Sequence, residues 1–115
     1  AGGWPLLAVG LVSIACGVAY TAGPAPLAYR GLGELFVFLF FGPVSILTLA
    51  SLLRQGSWTV GDGIASVQMG CLAVVILGVN NLRDHEGDAR VGKRTLAVRW
   101  GADRYRLFLT AMLAI

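Results

Sequence analysis

The residues best suited to chemistry lie in one stretch, 80–95: Asn-Asn-Leu-Arg-Asp-His-Glu-Gly-Asp-Ala-Arg-Val-Gly-Lys-Arg-Thr. Asn80, Asp84 and Asp88 recur every four residues, so on a helix they form one stripe. Two carboxylates on one face at a membrane boundary are unfavourable unless a cation joins them. Mg²⁺ suits such a pair, because it takes one or two carboxylates and fills its octahedron with phosphate oxygens and water. Arg90, Lys93 and Arg94 follow within a few positions. Carboxylates, a divalent ion and then guanidinium and ammonium groups are the parts needed to hold a diphosphate. The same charges also suit a solvated loop that does no more than set membrane topology. The paired asparagines favour a site, because polar side chains inside a span face a cavity or a partner.

Three look-alike patterns in the same stretch fail on chemistry. Gly87-x4-Gly92-Lys93 resembles a phosphate-binding loop, but Arg94 stands where Ser or Thr is required and an apolar helix precedes it in place of a strand. Asp84-x-Glu86-x-Asp88 resembles a calcium loop, but Ala89 replaces the turn glycine and Thr95 the final Glu. His85 is the only histidine, so no multi-histidine zinc site can form, and a supporting or solvated role suits it better than a ligand's.

The elements that must position these residues are membrane helices. Of 115 residues, 57% are hydrophobic and 13% charged, against roughly 25% charged in soluble chains. Mean hydropathy is +0.75. These values exclude a disordered chain, a coiled coil and a nucleic-acid-binding domain. No charge occurs in 1–29, 35–53 or 63–82, and eleven of the fifteen charges fall within 83–106. Segments 4–22, 34–53 and 63–82 each have about 20 residues, enough for about 30 Å of helix. A fourth span starts at Arg104, with Gly101 ending the segment before it and Asp103 as its expected N-cap. Pro43 should kink the second span.

Seven Lys and Arg residues within 83–106, against Arg54 alone in the turn between spans two and three, put loop 83–103 in the cytoplasm. Three crossings then put loop 23–33, with Arg30, on the same side. Ser13/Gly17, Ala15/Ala19 and Ser66/Gly70 are small-residue pairs that allow close helix approach. Cys16 and Cys71 sit in apolar runs and should be buried free thiols. The Ala-Gly-Gly-Trp-Pro start has no charged n-region and is not a signal peptide. Both ends read as cuts in a longer protein. The expected fold is all-α, a polytopic membrane helix bundle in which 1–115 is part of one domain.

Asn80-Asn81-Leu82-Arg83-Asp84-x3-Asp88-x3-Gly92-Lys93-Arg94-Thr95-Leu96-Ala97-Val98-Arg99 resembles the second aspartate-rich motif of the UbiA superfamily of intramembrane prenyltransferases. The run from Pro26 to Pro43, Pro-Leu-Ala-Tyr-Arg-Gly-Leu-Gly-Glu-Leu-Phe-Val-Phe-Leu-Phe-Phe-Gly-Pro, is similar to the branch whose acceptor is 1,4-dihydroxy-2-naphthoate. The resemblance implies a nine-helix bundle around a cavity, in the bacterial inner membrane. It implies Mg²⁺-dependent transfer of a polyprenyl group from its diphosphate to the naphthoate, giving demethylmenaquinone. Asp84 and Asp88 would hold the metal and carry catalysis. Lys93, Arg94, Arg30 and Asn80 would bind the diphosphate, and Phe36, Phe38, Phe40 and Phe41 are the rings available to face an allylic cation, although a Phe stripe on a membrane helix more often faces lipid or core. The first aspartate-rich motif of the family is absent from 1–115, so this stretch by itself should be inactive. Another aromatic acceptor (4-hydroxybenzoate or homogentisate) and a non-enzymatic transporter or membrane subunit are the alternatives.

Overall fold

The computed structural model describes residues 3–21 and 31–115, and among these every regular element is helical. Helix α1 spans Gly3–Thr21, α2 Gly33–Leu39, α3 Ser45–Leu53, α4 Val60–Arg90, α5 Leu96–Trp100 and α6 Ala102–Leu113. Three stretches are long and apolar enough to cross a membrane: Gly3–Tyr20, Gly33–Leu53 and Val60–Arg90. Most of their large apolar side chains point outward, Trp4, Ile14, Leu53, Val60 and Ile76 among them.

The expected kink at Pro43 takes a definite form. Between α2 and α3 the chain makes one π-helical turn, Phe40–Val44, with Pro43 inside it. Proline removes one backbone donor, and the widened turn absorbs the mismatch without ending the helix. The Ser45 hydroxyl donates to the Phe40 carbonyl, which also accepts the Ser45 backbone N–H. At this turn Gly42 packs directly on α4. A Cβ on Gly42 would lie 2.5 Å from the Ser66 carbonyl oxygen and 3.0 Å from the Gly70 Cα. Gly70 in turn lies under the Phe38 ring. The Ser66/Gly70 pair therefore works as the sequence suggests. Buried Cys71 lies beside it, whereas Cys16 is only half-buried on α1, and both thiols are free.

Helix α4 begins with a reciprocal cap. Thr59 Oγ1 accepts from the Asp62 N–H at 3.2 Å, and Asp62 Oδ2 accepts from the Thr59 N–H at 2.8 Å. Arg54 pairs with the same carboxylate across the turn. Caps of this kind are worth about 0.5–2 kcal/mol. At 31 residues, α4 is about 46 Å long, well beyond a hydrocarbon core of about 30 Å. Its charged last two turns have to project past the bilayer. Within region 83–103, residues 83–90 continue α4 and Leu96–Trp100 form α5.

The short α5 and α6 fold back against this end. Ala97, Tyr105 and Leu109 form a buried cluster, with Leu82, Leu96 and Phe108 packed on it. Gly101 separates the two helices with φ +84° and stands at the N-cap of α6. Asp103, the expected cap, lies inside the first turn and pairs with Arg106 at 3.2 Å. Glycine takes the cap position because the reversal needs a positive φ.

Candidate functional site

The unbroken run of α4 carries Asn80, Asp84 and Asp88 as one stripe at four-residue spacing. Immediately beyond, the helix ends in a glycine turn. Gly92, at φ +78°, donates its N–H to the Ala89 carbonyl at 3.3 Å, and the Lys93 N–H donates to the Asp88 carbonyl at 2.9 Å. This pair of bonds is the Schellman arrangement, which needs a left-handed residue that glycine adopts at low cost. It folds Lys93 back over the end of the helix that holds Asp88. Thr95 then caps α5, its buried hydroxyl accepting from the Val98 N–H at 3.4 Å. The sequence thus returns a cationic segment to the carboxylate stripe within four residues.

Asp84 is held by Arg83 in a two-pronged ion pair, Nε to Oδ1 at 2.9 Å and Nη2 to Oδ2 at 3.1 Å. That guanidinium, helped by Lys93 and opposed by partial desolvation, keeps the Asp84 carboxyl below the usual carboxylate range. The pairing favours the ionised form of the carboxylate. Both partners are largely exposed, so the pair opens at little cost. Nδ1 of His85 lies 2.6 Å from the Leu82 carbonyl oxygen, which fits a supporting role for the ring. Among the described residues no group of three His, Cys, Asp or Glu side chains could hold a metal. Two hard carboxylates alone match what Mg²⁺ accepts when phosphate and water complete its shell. Asp84 and Asp88 therefore fit that ion by donor type and number.

Arg94 is exposed, and its carbonyl accepts from Arg99 Nε at 3.0 Å. Gly31 packs against this corner: a Cβ there would lie 3.1 Å from the Arg94 carbonyl oxygen and 3.0 Å from Arg99 Nε. Arg30, its neighbour in sequence, lies outside the described residues. Of the four phenylalanines, Phe36 and Phe40 stack with centroids 6.2 Å apart, and Tyr20 meets Phe36 edge-on at 6.4 Å. Phe38 covers Gly70, and Phe41 faces outward.

One cluster was not foreseen. Glu34, in the first turn of α2, is 4% exposed. Its Oε1 accepts from Asn81 Nδ2 at 3.1 Å and from the fully buried Tyr105 hydroxyl. The Tyr20 hydroxyl lies close by, 3.0 Å from where a Cβ on Gly33 would stand. Side chains from α1, α2, α4 and α6 thus converge one turn below Asp84. Sequence reading took Glu34 as the edge of an apolar span and favoured Asn80 within the asparagine pair. The available signal was a lone acid at a span boundary, opposite a second asparagine.

The sequence matches the UbiA prenyltransferase family over residues 1–115. It is 45% identical to a 1,4-dihydroxy-2-naphthoate octaprenyltransferase of Mycobacterium tuberculosis, over 96% of this chain and 37% of that protein. A protein of the same name from Haemophilus influenzae is 36% identical, over 93% of this chain and 34% of its own length. A 2-carboxy-1,4-naphthoquinone phytyltransferase of Synechocystis is 33% identical, over 85% and 32%. The chain spans about a third of the length of these curated relatives. No solved structure matches it. A match across the whole chain, on membrane-length helices that end in the paired-aspartate stripe, means that this chain belongs to the UbiA prenyltransferase family.

Proposed function

We propose that this chain is the second aspartate-rich part of an integral membrane enzyme that transfers a polyprenyl group from its diphosphate to 1,4-dihydroxy-2-naphthoate. The observation that carries the reading is the Asn80–Asp84–Asp88 stripe on one unbroken helix, with the Gly92 turn folding Lys93 back toward it. The names of the naphthoate-directed relatives support the choice of acceptor. Asp84 and Asp88 would hold Mg²⁺, which when bound would supply positive charge to the diphosphate and so make it a better leaving group. Lys93 and Arg94, with Arg30, bind the diphosphate oxygens and stabilise the charge that develops on them. Asn80, one turn nearer the bilayer, orients the phosphate. The stacked Phe36 and Phe40 rings help to keep water from the reacting carbon.

The allylic C–O bond breaks with its electron pair going to the diphosphate, and a ring carbon forms the new C–C bond. The ring loses CO₂ and keeps its proton count. No electrons leave overall, so the immediate product is the naphthoquinol whose oxidised form is demethylmenaquinone. The stripe, the Lys93 turn and loop 23–33 face the cytoplasm, in keeping with the Lys and Arg distribution. The test uses the full-length protein in membranes, with the naphthoate and a polyprenyl diphosphate, with and without Mg²⁺, and product read by mass. A Mg²⁺-dependent prenylated naphthoquinol, or the quinone that air oxidation makes from it, is expected. Prenylation of 4-hydroxybenzoate alone would replace the acceptor, and no product from folded protein would refute the enzymatic reading.

A further inference from the structure

The charged stretch of the chain is closed into a circuit. From Asn81 it runs along α4 through Asp84 and Asp88, turns at Gly92, presents Lys93 and Arg94, and returns through α5 and Gly101 to Tyr105. The two ends meet on one atom. Glu34 Oε1 accepts from Asn81 Nδ2 at 3.1 Å and from the Tyr105 hydroxyl. Two donors on one oxygen stand within about 6 Å of each other, since each bond is about 3 Å long. Glu34 Oε2 is buried with no donor among the described residues, so Oε1 carries both directed bonds.

The segment that brings Glu34 there touches the circuit again. Gly31, Gly33 and Glu34 are all buried. Gly31 abuts the Arg94 carbonyl and the Arg99 side chain, and a Cβ on Gly33 would lie 3.5 Å from Leu77 Cδ2 on α4. Residues 31–34 thus press on the cationic corner and on α4, while the Glu34 side chain bridges α4 and α6. Around this bridge the two helices meet through apolar groups: Leu109 on Gly78, and Leu82 on the Ala97–Tyr105–Leu109 cluster. Such contact is non-directional, so it holds the helices together without fixing the rotation of one against the other. Asn81 precedes Asp84 by three residues and Asp88 by seven, so it shares their side of α4. A rotation of α4 that breaks the Asn81 bond carries the carboxylate stripe with it.

We propose that Glu34 is a positioning residue for diphosphate binding: by tying Asn81 to Tyr105 it fixes where Lys93 and Arg94 stand against the Asp84–Asp88 stripe. The inference rests on the diphosphate reading above and adds the residue that sets the spacing of its two halves. Glu34 acts through α4 and α6, without touching the diphosphate. The demand on spacing is strict, because a misplacement of about 1 Å in a reacting site can cost about 100-fold in rate.

The experiment compares the full-length enzyme with its E34A and E34Q variants. Gln keeps an oxygen that accepts from Asn81 and Tyr105, whereas Ala leaves both without an acceptor. E34A should raise KM for the polyprenyl diphosphate tenfold or more, with KM for the acceptor within twofold of wild type. E34Q should bring the first value back to within threefold. A second readout needs neither metal nor substrate. Spin labels on E86C in α4 and L107C in α6, both exposed positions, report the distance between the helices by pulsed EPR. The doubly labelled protein should give one narrow distance with Glu34 or Gln and a broadened one with Ala. A lower thermal midpoint in E34A, with both KM values and the distance unchanged, would reduce Glu34 to a structural clip and overturn the assignment. An E34Q as impaired as E34A would overturn it too, because charge and not the shared oxygen would then matter. Should E34A fail to fold, Y105F decides, since it keeps the ring and loses only the bond: an unchanged diphosphate KM and an unchanged distance overturn the assignment. A wild-type enzyme that transfers no prenyl group would take both readings down. Normal wild-type turnover with an unaltered E34A would remove this one alone.

Discussion

Replacing Gly42 with Ala tests whether the π-helical turn is seated on α4 as closely as the structure has it. The added Cβ would meet the Ser66 carbonyl oxygen at 2.5 Å and the Gly70 Cα at 3.0 Å. Both atoms are backbone, so no side-chain rotation relieves the contact and the two helices must separate. Overpacking of this kind costs about 1–3 kcal/mol. The intrinsic gain of Ala over Gly in a helix, about 0.8–1 kcal/mol, opposes it. The expected net is a loss of up to about 2 kcal/mol, at most a few degrees in thermal midpoint. Gly63→Ala in α4 is the control: a Cβ there meets nothing within 4 Å, so only the helix gain remains. The assay is thermal unfolding of the two full-length variants side by side in one detergent. Opposite signs are expected. Equal shifts, or a stabilised Gly42→Ala, would refute the close crossing and with it the means by which the second span sets its separation from α4.

Three more outcomes follow from the site and its supports. In full-length protein, Asp84→Asn and Asp88→Asn should each lower turnover at least 100-fold with normal membrane insertion, whereas wild-type turnover in both would end the metal assignment. Lys93→Ala and Arg94→Ala should raise KM for the polyprenyl diphosphate more than KM for the acceptor; the reverse split would remove them from the diphosphate site. At the other end of α4, Arg54 first, then the Thr59 N–H and hydroxyl, hold the Asp62 carboxyl down at about 2, against an ordinary 3.8. A depressed acid stabilises the fold above its unfolded value and loses that contribution as pH falls. The cap should therefore be intact above about pH 4 and released as pH falls toward 2. Amide exchange at residues 60–63 reads it, and Thr59→Ala should speed that exchange already at neutral pH.

The parts of the site that follow a period were legible in sequence, and the parts that depend on a partner across the bundle were not. Asn80, Asp84 and Asp88 announce their shared face by spacing alone, because a helix converts a four-residue interval into alignment whatever surrounds it. Pro43 announces a distortion, but whether it becomes a bend, a break or a widened turn depends on what α4 allows beside Gly42. Helix α4 outruns the apolar span 63–82 for a related reason: hydropathy marks where lipid ends, and helices do not stop there when their hydrogen bonds continue into water. Asn81 could not be ranked above Asn80, since the choice rests on Glu34, 47 residues away in the chain.

This difference has a physical basis that bears on how the site is held. In lipid, apolar contact supplies little preference for one helix height or rotation over another, so register has to come from backbone approach and directed polar bonds. Each device on α4 fixes a different coordinate. The Gly42–Gly70 crossing sets the separation of the helices near mid-span. Glu34, reaching Asn81 and Tyr105 at once, sets rotation, because a helix turned by one residue would present Leu82 to the carboxylate. The Gly92 turn sets where the cations return relative to Asp88. A substitution that loosens only the first should weaken stability before chemistry. One that loosens the second should misalign the Asp84–Asp88 stripe while most apolar contacts persist. In this region, polar side chains fix the orientation on which binding and chemistry depend.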